Sequence, residues 1–359
     1  MTATFLIIGG GIVGASLAFE LARGGQSVTV LEQHAPASGA SSKSFAWLNA
    51  NYPDTPEYFQ LRLAALDHYR ALAAEHDLTA LLRFGGSIWW EDEGEDFDAH
   101  VALLAKHQYQ SSVIDAKTFA KLEPRVKNPP ARALYAPAEA GVALAAMTGW
   151  LLNQASKHGA TVQTGTAVEA LVEVGGRITG VTTALETLHA DHVIIAAGVK
   201  AGEMLAPLGF ELPMNNNAGL ILRSAPLPDL VDHVIMSPDV HFRQDPDGVL
   251  LMGEIFSGAF EAGRDIAALR ASVVARVEAR LDTVDPIVIA QTSLGTRPMP
   301  LDGMPAIGPV PGFTGLSLAV MHSAATLGPM IGKVLAEELL NETQNPMLQT
   351  FRPARFAAQ

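Results

Sequence analysis

The sequence predicts an α/β protein in which a parallel-sheet domain is interleaved with a second, antiparallel-sheet α+β domain. Three observations predict it. A short apolar run, Phe5-Leu6-Ile7-Ile8, enters a glycine turn and then a helical pattern. A second such run, Val193-Ile194-Ile195-Ala196-Ala197-Gly198, also ends on glycine. Between residues 218 and 254 the pattern instead alternates, as antiparallel strands do. At 359 residues the chain suits two packed domains, and 48% hydrophobic with 17% charged residues describes a globular protein with a large core.

Phe5–Ile8 is the continuous apolar run expected of a strand buried on both faces. Gly9-Gly10-Gly11-Ile12-Val13-Gly14 supplies a G-x-G-x-x-G spacing, and Ala15 to Arg23 reads as a helix with Leu17, Ala18, Leu21 and Ala22 on one face. Gly24-Gly25 stops that helix. Ser27 to Leu31 is the next strand, with Glu32 at its end and Gln33 beyond it. Gly9 permits the tight turn, Gly11 lets backbone approach a pyrophosphate, and Gly14 lets helix and strand pack closely. Ile12 and Val13 open a helix whose N-terminal N–H groups face the anion. Glu32, about twenty residues on, is placed to accept from a ribose hydroxyl. Together these parts read as a Rossmann-like dinucleotide site. The alternative is a glycine turn that only packs helix on strand.

A nicotinamide dehydrogenase would usually continue after Glu32 with further regular βα units. This chain enters an irregular polar stretch, residues 36–51, in which Ser41 and Ser42 offer hydroxyl and N–H groups to phosphate and flavin and Lys43 offers a charge. Phe45 and Trp47 lie within it, which a merely solvated loop would not explain. FAD is therefore the expected dinucleotide.

Here the chain resembles the D-amino-acid-oxidase-like (DAO) family of flavoproteins, which includes glycine oxidase, sarcosine oxidase and D-amino-acid dehydrogenase. The resemblance rests on the N-terminal turn with Glu32, the Ser/Gly loop, the run ending at Ala197-Gly198, and residues 295–308 continued through Gly315-Leu316 to 321–329. It implies that Ala197 and Gly198 return to the FAD. Val168, Arg297 and Ala325-Thr326-Leu327-Gly328 complete the expected cofactor contacts. The last of these segments precedes a helix expected from Met330 to Leu340, whose N-terminal N–H groups would stabilise charge on a reduced flavin.

Further helices are expected at Pro56 to Glu75, Asp96 to Lys106, Lys117 to Leu122, Ala146 to His158 and Asp265 to Leu281. Strands are expected at residues 84–90, at 162–171 and at 177–184, the last two joined through Gly175-Gly176. Of Trp89 and Trp90, adjacent on a strand, at least one should pack in the core. The layout is an FAD-binding domain of residues 1–56, 139–206 and 290–345, a substrate domain of 57–138 and 207–289, and a C-terminal tail of 346–359.

Composition excludes several classes. A formal charge of −13 argues against a nucleic-acid partner, because neutralising phosphate requires an excess of Lys and Arg. With no cysteine there is no disulfide, thiol nucleophile, iron–sulfur cluster or zinc–thiolate site, and no metal is expected. No run of about 18 uninterrupted apolar residues marks a transmembrane segment, and no signal peptide is evident, so a cytoplasmic protein is expected.

In the family the flavin carries the chemistry and the protein supplies orientation and electrostatics. Arg297 is the first candidate for gripping a substrate carboxylate, since a planar guanidinium holds both oxygens at once. The resemblance to glycine oxidase implies the same role. The alternative is a structural arginine paired with Asp302. His322 is the candidate residue beside the flavin ring, with a structural histidine as its alternative. His241, Arg243 and Glu254 lie on the sheet that in the family forms the wall opposite the flavin. Each is weighed against an ordinary surface strand residue. At His241 glycine oxidase carries a tyrosine, which points to a different substrate. Asn49, with Trp47, Asn51 and Tyr52, follows the flavin loop closely enough to reach the pocket.

Two departures matter. Sarcosine oxidase tethers its flavin to a cysteine; here the FAD must be non-covalent. No Lys occurs between Lys200 and Lys333, so the family's oxygen-activating lysine has no counterpart, which favours a dehydrogenase without excluding an oxidase. The expected activity is FAD-dependent oxidation of a small amine or amino acid (glycine, sarcosine or D-amino-acid type), with molecular oxygen or another electron acceptor. The alternatives are a flavoprotein subunit of an electron-transfer complex and a flavin-binding protein without amine oxidation.

Overall fold

The structure, a computed structural model, describes residues 2–53, 55–215, 217–254, 265–283 and 285–357. It divides into two compact units. The first comprises Met1–Ser42, Leu144–Asn217 and Thr296–Gln359, and the second Lys43–Ala143 and Ala218–Gly295.

The first unit is built on a six-stranded sheet in the order Ala306–Pro309, Leu316–Val320, His192–Ile195, Thr4–Ile8, Ser27–Glu32, Thr161–Thr164. The last five run parallel, and only the edge strand Ala306–Pro309 is antiparallel to its neighbour. The apolar runs seen in the sequence occupy its centre: Ile8 pairs with Ile195 on one side and Leu31 on the other. Helix Ile12–Arg23, buried at every residue from Ile12 to Ala22, packs beside helices Leu144–Lys157 and Ala324–Asn341. Glycine sets one of these approaches, because a Cβ on Gly332 would lie 2.5 Å from the Ser16 Cβ.

Two expectations for this unit change. The strand expected over 162–171 is two strands, Thr161–Thr164 and Val168–Val174, broken at Gly165, whose φ of 67° no regular strand allows. The second piece joins a separate three-stranded antiparallel sheet with Arg177–Thr183 and Thr187–His189. The residues after Asn345 are not a tail. They form two 3-10 helices, Pro346–Phe351 and Pro353–Phe356, with Leu348 and Phe351 buried.

The second unit carries an eight-stranded sheet in the order Ile289–Thr296, Ala218–Pro226, Val249–Gly253, His241–Gln244, Val234–Met236, Ser87–Trp89, Arg132–Ala136, Ser112–Asp115. Its described pairs are antiparallel except Val234–Met236 on Ser87–Trp89, which is parallel. Helix Ile266–Arg280 contributes Leu269, Val273 and Val277 to a core with Leu222, Phe242, Leu250 and Met252. Trp90 joins that core and Trp89 is buried as well. A small sheet of Trp47–Leu48, Ala140–Val142 and Leu82–Arg83 completes the unit.

Candidate cofactor and substrate sites

In the first unit the glycine turn is shaped by contact as well as conformation. Gly9 has φ 111°, and a Cβ there would sit 2.5 Å from the Ala196 carbonyl oxygen. A Cβ on Gly14 would overlap the Gly9 carbonyl oxygen outright. Gly11 is the N-cap of helix Ile12–Arg23 and brings no side chain to the helix start, whose first turn also holds no acidic residue. Ser41, from the polar loop, accepts from the Ile12 N–H at 3.0 Å. The chain thus leaves backbone and one hydroxyl at a positive helix end, which fits the pyrophosphate of a dinucleotide.

Glu32 is buried at the end of its strand, where one carboxylate oxygen accepts from Gly10 N–H and the other from His34 N–H, both at 2.8 Å. It therefore braces the glycine turn in addition to standing where a ribose is expected. Ser42 donates to the Gly39 carbonyl at 3.3 Å, while Gln33 and Lys43 are exposed. Lys43 falls in the second unit, where a Cβ on Gly295 would press on it.

Two other cofactor segments of this unit lie beside the same turn. Ala196 N–H donates to the Ile8 carbonyl at 2.9 Å, which places Ala197 and Gly198 beyond the sheet end beside Gly9. Helix Ala324–Asn341 begins six residues before the expected Met330. Leu327 N–H consequently donates within the helix, to the Ser323 carbonyl at 2.9 Å. Leu327 and Gly328 therefore stand inside the helix and not ahead of it, so their N–H groups belong to its own hydrogen-bond ladder. Gly328 instead gives close packing: a Cβ there would lie 3.0 Å from the Ile12 side chain, so the two helix starts sit together. Val168 is half-buried against the core of this unit, and His322 is exposed just before the helix.

Arg297 follows strand Ile289–Thr296. Its N–H donates to the Asn217 carbonyl at 2.8 Å, and the next residue, Pro298, lies 3.7 Å from where a Gly198 Cβ would stand. The guanidinium is half-buried, and burial lowers its pKa from the ordinary arginine value. Asp302, the acid offered as its structural partner, is instead gripped by Arg355 through both oxygens, at 2.7 and 3.2 Å.

In the second unit His241 and Arg243 are buried, so the surface reading fails for both. The strand His241–Gln244 is covered on both faces. Arg243 donates to the Phe45 carbonyl at 2.5 Å and the Val142 carbonyl at 2.8 Å, and pairs with Asp245. With all three guanidinium nitrogens engaged inside the unit, Arg243 is a structural brace and not a free hand for substrate. His241 pairs through Nε2 with Glu91, whose other oxygen accepts from Tyr52 Oη at 2.8 Å and Trp89 Nε1 at 2.6 Å. Burial alone would raise the Glu91 pKa; the hydrogen bonds and charge of His241, with Tyr52 and Trp89, overcome it and leave the pKa lowered. Asn49 donates to the Trp47 carbonyl at 3.2 Å, and Glu254 faces Arg276 at 3.6 Å.

Sequence reasoning missed Glu139. It is fully buried and accepts from Trp47 Nε1 at 2.7 Å, Ser87 Oγ at 2.5 Å and Tyr109 Oη. Burial pushes its pKa up to about 7. An acid in an otherwise apolar stretch, Ala136-Pro137-Ala138-Glu139-Ala140, was the available signal.

A parallel sheet opening into this glycine turn, with an acid at the second strand end, defines a dinucleotide-binding oxidoreductase of the flavoprotein class. The chain belongs to the DAO family, FAD dependent oxidoreductase, whose model matches residues 4–338. It is an FAD-dependent enzyme. It is 27% identical to a glycine oxidase of Pseudomonas aeruginosa PAO1, over 99% of both chains. It is equally 27% identical to the uncharacterized oxidoreductase YurR of Bacillus subtilis 168, over 98% of both. The crystal structure of glycine oxidase from Geobacillus kaustophilus superposes with a TM-score of 0.87 at 24% identity, covering 99% of this chain and 100% of that one. Among the described residues no helix is long and apolar enough to cross a membrane.

Proposed function

We propose that this enzyme oxidises a small amino acid or amine at the carbon next to nitrogen, with Arg297 holding the substrate carboxylate. The reading is supported most by the half-buried Arg297 guanidinium, whose pKa is depressed by desolvation, on a segment that lies near Gly198. A cation partly removed from water gains most from a carboxylate that binds it through two hydrogen bonds. Bound FAD supplies the two-electron acceptor for the hydride that leaves the substrate carbon. The products are then an imine, which water converts to an oxo acid and ammonia or amine. In this reading Gly9, Gly11, Gly14 and Ser41 receive the pyrophosphate, Glu32 the ribose, and residues 325–328 the flavin end.

An anaerobic screen of glycine, sarcosine, D-amino acids and N-methyl amines for bleaching of the bound flavin tests the activity. Arg297→Met should raise KM for the best amino acid roughly ten- to hundredfold, the factor expected on loss of a charge-assisted contact. An unchanged KM, or no bleaching by any member of the screen, overturns the reading. Repeating turnover with oxygen and with an artificial acceptor decides between oxidase and dehydrogenase.

A further inference from the structure

The C-terminal segment holds the far side of the turn that carries Arg297, and it does so with charge. Arg352 is buried and grips Glu338 of helix Ala324–Asn341 with both terminal nitrogens, while Nη1 also reaches the Ile307 carbonyl at 3.4 Å. Gly308, at φ 116°, makes room, because a Cβ there would strike the same guanidinium. Three residues on, Arg355 uses every nitrogen. Nε and Nη2 hold the two oxygens of Asp302, Nη2 donates also to the Met304 carbonyl at 3.1 Å, and Nη1 to the Arg352 carbonyl at 3.2 Å.

These contacts bracket a short stiff loop. At one end Arg297 N–H is fixed on the Asn217 carbonyl, and Met299–Pro300 pairs with Met214–Asn215. In the middle Leu301 N–H donates to the Pro213 carbonyl and Gly303 N–H to the Pro300 carbonyl, both at 2.9 Å. At the other end Asp302 accepts from Met304 N–H at 3.0 Å and from Arg355. Pro298, Pro300 and Pro305 restrict the backbone between. A guanidinium that must meet a carboxylate in register depends on its backbone being held to a fraction of an ångström.

We propose that Arg355, acting through Asp302, is a positioning residue for Arg297, and that the C-terminal segment is a clamp on substrate binding. This rests on the carboxylate-binding reading of Arg297. A half-exposed ion pair adds little to global stability, so its effect is local order.

The test uses the FAD-loaded enzyme and two readouts. In Arg355→Gln and, separately, Asp302→Asn, amide hydrogen exchange across residues 297–305 should quicken about fivefold, while helix 324–341 stays protected. Glycolate, a small carboxylate probe, should bind Arg355→Gln about fivefold more weakly by flavin absorbance titration, with Arg355→Lys intermediate because it keeps charge but not the fork. Unchanged exchange or unchanged glycolate affinity in both Arg355→Gln and Asp302→Asn overturns the clamp. If Arg297→Met binds glycolate like the parent enzyme, the carboxylate reading of Arg297 fails, and the clamp's role in substrate binding fails with it.

Discussion

Glu139 is a fully buried carboxyl group with three donors around it, and its burial dominates its behaviour. Its pKa stands near 7 against an ordinary 4.5. Between those values the unfolded chain gives up the proton while the folded one keeps it, so this group's stabilisation is full below about pH 4.5 and is lost as pH rises towards 7. The difference corresponds to about 3 kcal/mol. His192 opposes it: burial lowers its pKa from 6.5 to about 4, which makes the fold more stable as pH rises through that interval. Glu139→Gln keeps the shape and removes one of the two opposed trends. Its Tm, compared with the parent's from pH 4.5 to 7, should fall relative to the parent at the acid end and recover at neutrality. Parallel Tm profiles would show that Glu139 does not titrate in this range. Residues of this kind were poorly legible in the sequence. Glu139, in the connection before strand Ala140–Val142, and His241 and Arg243, on a strand covered on both faces, look like ordinary polar positions until the fold buries them, whereas Gly9, Gly14 and Glu32 stand in a spacing that chemistry restricts.

At the scale of elements, the central strands were plain because four consecutive apolar residues leave few other readings, and the helix after the glycine turn was equally plain. The start of helix Ala324–Asn341 was not. Pro329 lies just before the expected start at Met330, where its missing N–H would be harmless, yet it occupies the sixth helical position. The signal that outweighs it is packing. Gly328 and Gly332, one turn apart, form a flat stripe against Ile12 and Ser16. Gly332→Val would force two branches into that contact and push the helices apart, at about 1–3 kcal/mol. The variant should retain its fold by circular dichroism, melt earlier and bind FAD more weakly in reconstitution. Normal FAD affinity would mean that the spacing of the two helices does not shape the cofactor site. His241–Gln244 misled for a related reason: alternation predicts one wet face, and this strand has none.

The whole molecule is two units threaded by one chain that passes between them at residues 42/43, 143/144, 217/218 and 295/296. The interleaving itself was readable, because apolar runs at residues 5–8 and 193–198 lie far apart in the chain and an alternating pattern follows over 218–254. The C-terminal segment was not, because its anchoring depends on one buried ion pair and on apolar residues spaced too irregularly for a helix or strand pattern. Arg352→Met would strand the Glu338 carboxylate in the interior and should destabilise the protein by about 3–5 kcal/mol, read as a lower urea midpoint. Adding Glu338→Leu should recover much of that loss, since the pair is costly to break and cheap to replace. No recovery in the double variant would place the cost in packing of the Arg352 stem.

The order of strands in the parallel sheet has a consequence for how the protein is made. Thr4–Ile8 sits beside His192–Ile195, and that strand's other neighbour is Leu316–Val320. These pairings join strands far apart in sequence, so the sheet closes over long stretches of intervening chain, which makes its assembly slow. The glycine turn, although its residues are contiguous, lies against Ala196, so its surroundings are complete only once these distant strands have met.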